Sequence, residues 1–377
     1  MTDIRLFGYS DPLSARAGEP IDFMISAEGT NTANAEISRL IHGDYNKEGP
    51  GFVEESIKSD VPITIEVKRQ YTQGGSFIKV KDKNNLLCLK KSFSMHAFIW
   101  PSMPGHERQT IMGRWSVSSS KGYALGINPD GKLEFWVGDG IKIDKVTAEI
   151  PLVPKVWVFV AVTFDCISGE TTIVQESVQN SWNSIIGPVT PYNHNSVVTE
   201  SLRVKPADDD ISFLLAGANE ENKERGSFVS MLYNGKIDRC GVVERILSQD
   251  ELGLIKAGNV PSDPLTYWDT TVGYTDRGIG IDIVDIGPNQ LSGIGVNRPV
   301  RGMTGWNWAG RDDSFRLNPS QYGGISFHDD AITDCKWEKT ITWIPPKNLK
   351  SGVYALKINS GDTIDRIPVI IRPNKPK

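Results

Sequence analysis

With 377 residues, the chain is too long for one ordinary domain and points to two or three. Hydrophobic residues make up 39% of it, enough for substantial cores, and 36 glycines with 22 prolines suit a turn-rich, mostly β protein. The 41 basic and 46 acidic residues leave a net charge of −5 with no basic stripe, which argues against a nucleic-acid partner.

Cys88, Cys166, Cys240 and Cys335 lie far apart without a C-x-x-C pair, and so predict reduced, mostly buried thiols and no zinc site. The opening Met1-Thr2-Asp3-Ile4-Arg5 carries no apolar h-region, and no stretch approaches a membrane span. The expectation is a soluble, cytoplasmic chain with no membrane partner.

Strands are expected at Ile4 to Tyr9 and Ile21 to Ala27, around the turn Ala15 to Pro20. A third runs from Ala35 to Ile41 into His42-Gly43-Asp44, and a glycine- and proline-rich loop follows over Tyr45 to Phe52. Ile63 to Val67 and Ser76 to Val80 read as later strands of the same immunoglobulin-like sandwich, which by residue 90 is still short of strands.

A new period begins at Ser92. Phe93, Met95, Ala97 and Ile99 alternate with Ser94, His96, Phe98 and Trp100, and Pro101 stops the strand because it cannot donate to a ladder. Strands follow at Thr110 to Trp115, Tyr123 to Ile127, Leu133 to Val137 and Trp157 to Phe164. Turn signals such as Asn128-Pro129-Asp130-Gly131 separate them. After Phe213 to Ala216 comes Asn234-Gly235-Lys236-Ile237-Asp238, and Ser248 with Glu251 three residues on predicts a capping box on a short helix.

Residues 264 to 330 show little clean periodicity and many glycines. Beyond them Trp337 to Ile344, Gly352 to Ile358 and Ile367 to Ile371 read as strands. They supply the strands missing at the front. The fold class is all-β: a split immunoglobulin-like β-sandwich (1–90 and 331–377) with an inserted concanavalin-like jelly roll (91–262) and a glycine-rich connecting segment (263–330). Insertion at a surface loop is cheap when the inserted domain's ends lie close together.

Each candidate site has a plain alternative. His328 and Asp330, two apart with Asp329 between and Asp334 nearby, could share a strand face as metal ligands; the alternative is turn-capping acids and a histidine bound to backbone. His42 and Asp44 flank a glycine as an acid–base pair would, but no nucleophile stands near, and a hydrogen-bonded strand end accounts for them as well. Trp306, Trp308, Trp337 and Trp343 suit either a sugar-stacking platform or buried anchors. Asp208-Asp209-Asp210 suits either a calcium rim or a solvated loop. No Gly-x-Ser-x-Gly elbow exists for a hydrolase triad.

The strand ending Phe98-Ile99-Trp100-Pro101, then Gly113-Arg114-Trp115, Tyr123 to Ile127 and Trp157 to Asp165, resembles a laminin-G or concanavalin-type jelly roll. More specific pieces run the length of the chain: Phe7-Gly8-Tyr9, Ile41 to Asp44, Pro50-Gly51-Phe52, Asn297-Arg298-Pro299-Val300-Arg301, Gly305-Trp306-Asn307-Trp308, Phe327 to Asp330 and Ser351 to Ala355. Together they resemble the large (beta) subunit of N,N-dimethylformamidase. That resemblance implies hydrolysis of small amides to amine and carboxylic acid, a mononuclear iron held by two tyrosines and a glutamate, and a small helical subunit as partner. It also implies an α/β metal domain beyond the segment matched here, so no catalytic or metal residue and no cofactor is assigned within this chain. The expected role is a non-catalytic scaffold in a homo- or hetero-oligomer, with His42, Asp44, Asn297, Arg298, Arg301, Trp306, Trp308, His328, Asp329 and Asp330 as interface or loop candidates. Two alternatives stand beside it. One is a glycan- or polymer-binding module displaying Phe98, Trp100, Phe135 or Trp136; the other is a complete enzyme working at His328.

Overall fold

A computed structural model of the chain describes residues 3–178, 194–275 and 278–374. It separates into two compact units, Met1–Thr72 with Cys335–Lys377, and Gln73–Asp334.

The first unit is a sandwich built from both ends of the chain. In one sheet Ile21–Glu28 lies between Arg5–Asp11 and Ile341–Trp343, both antiparallel to it. In the other, Gly352–Ser360 pairs with Thr32–Gly43 on one side and Thr363–Arg372 on the other, and Ser14–Arg16 adds a short parallel contact to the latter. Pleating decides which residues go inside: along Thr363–Arg372, Ile367, Val369 and Ile371 are buried while Pro368, Ile370 and Arg372 face out. The interior gathers Phe23, Ile25, Trp343, Tyr354, Leu356 and Ile358. The split sandwich is therefore real, closed by strands more than 300 residues apart in sequence, as in Ile341 opposite Phe23.

The second unit is the jelly roll. Its first sheet runs in the order Ile143–Pro151, Lys132–Asp139, Lys121–Ile127, Gln109–Ser116, Leu214–Leu215, Phe77–Val80 and Gly293–Val296. Its second runs Ser196–Ser201, Glu170–Ser177, Val158–Phe164, Phe93–Pro101 and Gly235–Val243, and the last of these also pairs with Thr266–Asp269 and Gly324–Phe327. Between them Phe93, Met95, Ala97 and Ile99 meet Tyr123, Leu125, Phe135 and Val137. The turn at Asn128 forms as its residues require. Gly131 takes φ +78°, and the Asn128 carboxamide oxygen accepts the amides of Asp130 and Lys132. Ser248 caps the helix Gln249–Lys256, and the Glu251 carboxylate returns to the Ser248 amide at 2.8 Å.

Three expectations need correction. The strand Phe77–Val80 belongs to the inserted unit, so the first boundary falls at 72/73 and not at 90. A four-residue strand carries no address for its partner, and here Phe77, Ile78 and Val80 are buried in the jelly-roll core. The segment 263–330 is no separate connector: Asp282–Asp285 and Gly293–Val296 extend one sheet, and Thr266–Asp269 and Gly324–Phe327 the other. Of the four free thiols only Cys240 is buried; the rest are half-buried.

Candidate functional site

On the outer face of the second sheet, which hydrophobic residues cover, stand two buried ionisable side chains. Lys236 lies opposite Trp100 and Asp238 opposite Phe98, and the ladder then shifts register, with Arg239 at φ +43° in the bulge. The Lys236 Nζ sits 4.5 Å from the Trp100 ring and 5.1 Å from that of Trp157, and donates to the Thr304 carbonyl (3.2 Å) and Oγ1 (3.1 Å). Burial pulls its pKa down to about 8, against the charge of Asp238.

Asp238 is fully buried. Thr270 Oγ1 donates to its Oδ1 at 2.8 Å and the Trp306 amide reaches its Oδ2 at 3.4 Å. Burial raises its carboxyl above the usual range, and Arg239 works the other way. Gly305 and Gly323 lie against the carboxylate so closely that a Cβ on either would stand 2.5 or 2.4 Å from an oxygen. The Trp306 ring stacks on Phe98 at 4.3 Å and 5°, and the helix Gln249–Lys256 buries Leu252 and Ile255 on the same face. A lysine pulled down beside an acid pushed up is the electrostatic arrangement of an acid–base pair. Here the carboxylate is enclosed by backbone and cannot meet a substrate, so the pair works as a latch holding the glycine-rich stretch 302–308 to the sheet.

Lys236 makes this latch sensitive to pH. Its native pKa near 8 lies below the unfolded value, about 10.4. Between the two, the unfolded chain holds the extra proton and stability climbs with pH. From about pH 8 to about pH 9.5 the gain is about 2 kcal/mol, before the buried phenols of Tyr123 and Tyr233, raised well above their usual value, reverse it beyond about pH 10. Urea titrations at those two pH values should show the rise, and Lys236→Met should flatten it; an equal rise in both proteins would refute the assignment.

The candidates singled out from sequence are found on backbone duty. The Arg301 guanidinium is buried and donates to the carbonyls of Thr270 (2.9 Å), Val272 (2.7 Å), Asp282 (2.5 Å) and Gly280 (3.4 Å). Asn297, at φ +54°, donates to the carbonyls of Gln73 and Gly75 and accepts the Thr333 amide. Arg298 is exposed, and Trp308 donates from Nε1 to the Asp312 carbonyl at 3.0 Å. His328, Asp329 and Asp330 are exposed. The His328 backbone exchanges hydrogen bonds with Ser76, and the Asp329 amide reaches Asn234. In the other unit His42 is exposed and Asp44 accepts the Asn46 amide in an Asx turn. Asp208 is paired with Arg114 at 3.0 Å, and Asp209 accepts from Ser119 at 2.5 Å. Among the described residues no three His, Cys, Asp or Glu side chains converge as metal ligands.

The outer face of the first sheet holds features that, Trp136 apart, sequence reasoning passed over. Glu134 and Trp136, two apart on one strand, point the same way. The Trp136 ring lies on Gly126 and the Trp115 ring on Gly138, where a Cβ would stand 2.5 and 2.8 Å from the rings, and the two indoles meet edge to face at 6.1 Å. Glu134 is fully buried. Arg108 pairs with its Oε1, while Thr147 Oγ1 (3.1 Å) and Lys145 Nζ (3.4 Å) face its Oε2. Burial pushes this carboxyl up, but Arg108, Lys145 and Thr147 outweigh it and hold the group below its ordinary value. Arg108 also lies over the Trp136 ring at 5.2 Å. A pocket of about 320 Å³ is lined by Arg108, Trp115, Glu134, Trp136, Ile143, Lys145 and Met231.

The aromatic display expected of a glycan binder is absent from the residues named for it. Phe98 lies under Trp306, and Trp100 is only half-buried but taken up by Lys236. Phe135 packs between Phe93 and Phe164 in the core, and Trp136 is 3% exposed.

Taken together, these features define a β-sandwich carrying an inserted lectin-type jelly roll. Residues 72–253 match the concanavalin A-like lectin/glucanases superfamily, and residues 300–377 match the family described as N,N-dimethylformamidase beta subunit-like, C-terminal. The chain is 38% identical over 383 residues to the N,N-dimethylformamidase beta subunit of Paracoccus aminophilus and 38% identical over 379 residues to that of an Alcaligenes species. These alignments take in 100% and 99% of this chain and 50% of each relative. Over its whole length the chain is thus similar to one half of the N,N-dimethylformamidase beta subunit, and it spans about half the length of the curated relatives it matches. Among solved structures it is similar to a Bacteroides ovatus protein described as a candidate carbohydrate binder (TM-score 0.42, 14% identity, 78% of this chain and 90% of that one) and to the CBM40 of a Ruminococcus gnavus sialidase (TM-score 0.37, 13% identity, 50% and 97%). No helix among the described residues is long and apolar enough to cross a membrane.

Proposed function

We propose that this chain is the non-catalytic scaffold and interface portion of an N,N-dimethylformamidase-like large subunit. The complete protein would hydrolyse small N-substituted amides to amine and carboxylic acid at an iron site outside the segment described here, in company with a small helical subunit. The carrying observation is the match itself, which takes in the whole chain but half of each relative.

Five of the ten tyrosines, Tyr123, Tyr233, Tyr274, Tyr322 and Tyr354, donate their hydroxyls to backbone carbonyls, so those five are not free phenolate ligands. Two of the buried ionisable groups, Lys236 and Asp238, are spent on holding backbone. Metal analysis of the purified chain should find no stoichiometric iron, and incubation with dimethylformamide should release no dimethylamine. Iron retained at one ion per chain through dialysis against a chelator would overturn the proposal.

A further inference from the structure

The pocket on the outer face of the first sheet has no part in that scaffold role, and its chemistry is specific. Its two cations, Arg108 and Lys145, share one anion, Glu134, and among the described residues neither has another ion partner. The pocket is therefore positive by one charge. Glu134 has little left to offer a ligand, because Arg108, Lys145 and Thr147 already engage both its oxygens. Arg108 is engaged with Glu134 through one terminal nitrogen of a group carrying five N–H donors. Lys145 keeps its side chain 57% exposed at the mouth. The remaining wall is apolar: the edges of Trp115 and Trp136, Ile143 and Met231.

We propose that this pocket binds a small organic carboxylate, its anion against Arg108 and Lys145 and its apolar body against Trp136, Ile143 and Met231. A planar guanidinium beside a second cation suits a carboxylate, and the Trp136 ring beneath Arg108 fixes the orientation of the fork. Flat stacking of a sugar is excluded on this face, because the two indoles are only 4% and 3% exposed. The volume, about 320 Å³, lies near the lower end of the roughly 300–1,000 Å³ typical of ligand pockets and limits the guest to a small molecule. The site is built into the sheet: Gly126 and Gly138 leave the recesses in which the indoles lie. The proposal stands apart from the scaffold reading and survives if that reading fails.

Phenylacetate, phenylacetamide and phenethylamine, similar in size and differing in charge, are the probes. Calorimetry on the full chain near neutral pH and at low salt should give one saturable site for phenylacetate. The amide should bind at least about tenfold more weakly and the amine not measurably. With methyl-labelled methionine, phenylacetate should shift the Met231 resonance, assigned by its loss in Met231→Leu. Lys145→Gln should weaken phenylacetate about fivefold without moving the melting temperature, because the exposed Lys145 is the lesser of Glu134's two ion partners. Ile143→Asp, which adds a negative charge at an exposed position on the mouth, should abolish binding. The proposal is overturned if carboxylate and amide bind alike, if none saturates up to about 20 mM, if Met231 stays unmoved while another methionine shifts, or if Lys145→Gln leaves the affinity unchanged.

Discussion

Replacing Arg301 with methionine should cost the inserted unit about 4 kcal/mol, at the upper end of single-residue effects. The guanidinium ties together carbonyls from three places, Thr270 with Val272, Gly280 and Asp282, inside a stretch whose strands are only two to four residues long. Ladders that short close few hydrogen bonds of their own, so the arginine supplies what regular pairing cannot. Methionine fills most of the space but leaves one buried carbonyl, that of Thr270, and three part-buried ones without their donor; the buried one costs on the order of 1–3 kcal/mol and the others add smaller amounts. Arg301→Lys should recover less than half of the loss, because an ammonium cannot span a fork of four acceptors. Denaturant midpoints followed by tryptophan fluorescence would measure this, and amide exchange should show residues 266–285 losing protection first. A loss below about 1 kcal/mol in the methionine variant would mean that the segment's glycine-rich backbone holds itself.

What the sequence disclosed and what it hid divide along the range of the interaction involved. Alternation made Phe93–Pro101 legible, as it did Val158–Phe164, because pleating acts between neighbours. The Ser248 cap and the Asn128 turn were readable for the same reason: every group involved lies within four residues. The split sandwich could be read because each flank lacked what the other had. Phe77–Val80 could not be placed, since its partners, Leu214–Leu215 and Gly293–Val296, lie more than 130 residues away.

The sites follow the same division. Asn297, Arg301 and Trp306 stood out as residues, yet their work depends on which carbonyl or ring a bulged, glycine-rich stretch brings to them. Lys236 and Asp238 carried a usable signal, two charges at i and i+2 on a strand with apolar neighbours. Glu134 carried a weaker one, a single charge between Leu133 and Phe135 on a strand. What no spacing could show is that Gly126 and Gly138, on neighbouring strands, sink the indoles into the sheet and turn an expected platform into a pocket wall.

His96 should make the jelly roll acid-sensitive to a degree that its modest net charge does not suggest. Alternation places the imidazole with Phe98 on the covered face, where it is fully buried near Phe159 and Tyr267, and neither ring nitrogen has a hydrogen-bond partner among the described residues. Burial alone pushes its pKa down to about 3, against about 6.5 in the unfolded chain. The depressed value fixes the sign. Above about pH 6.5 both states are neutral and the full stability is present; below it the unfolded chain takes up the proton first, and stability is lost until the native pKa is reached. From neutrality to about pH 4 this one residue should cost about 3 kcal/mol. His96→Leu, close in volume and without a proton to gain, should remove that part of the acid loss and leave the contribution of the carboxylates untouched. Comparing urea midpoints of the two proteins at neutral pH and at about pH 4 isolates it, because every other titrating group is common to both. Equal acid losses in the two proteins would show that the imidazole is hydrated or partnered in solution. A gain in stability at neutral pH would instead accord with the removal of two polar atoms from a site that satisfies neither.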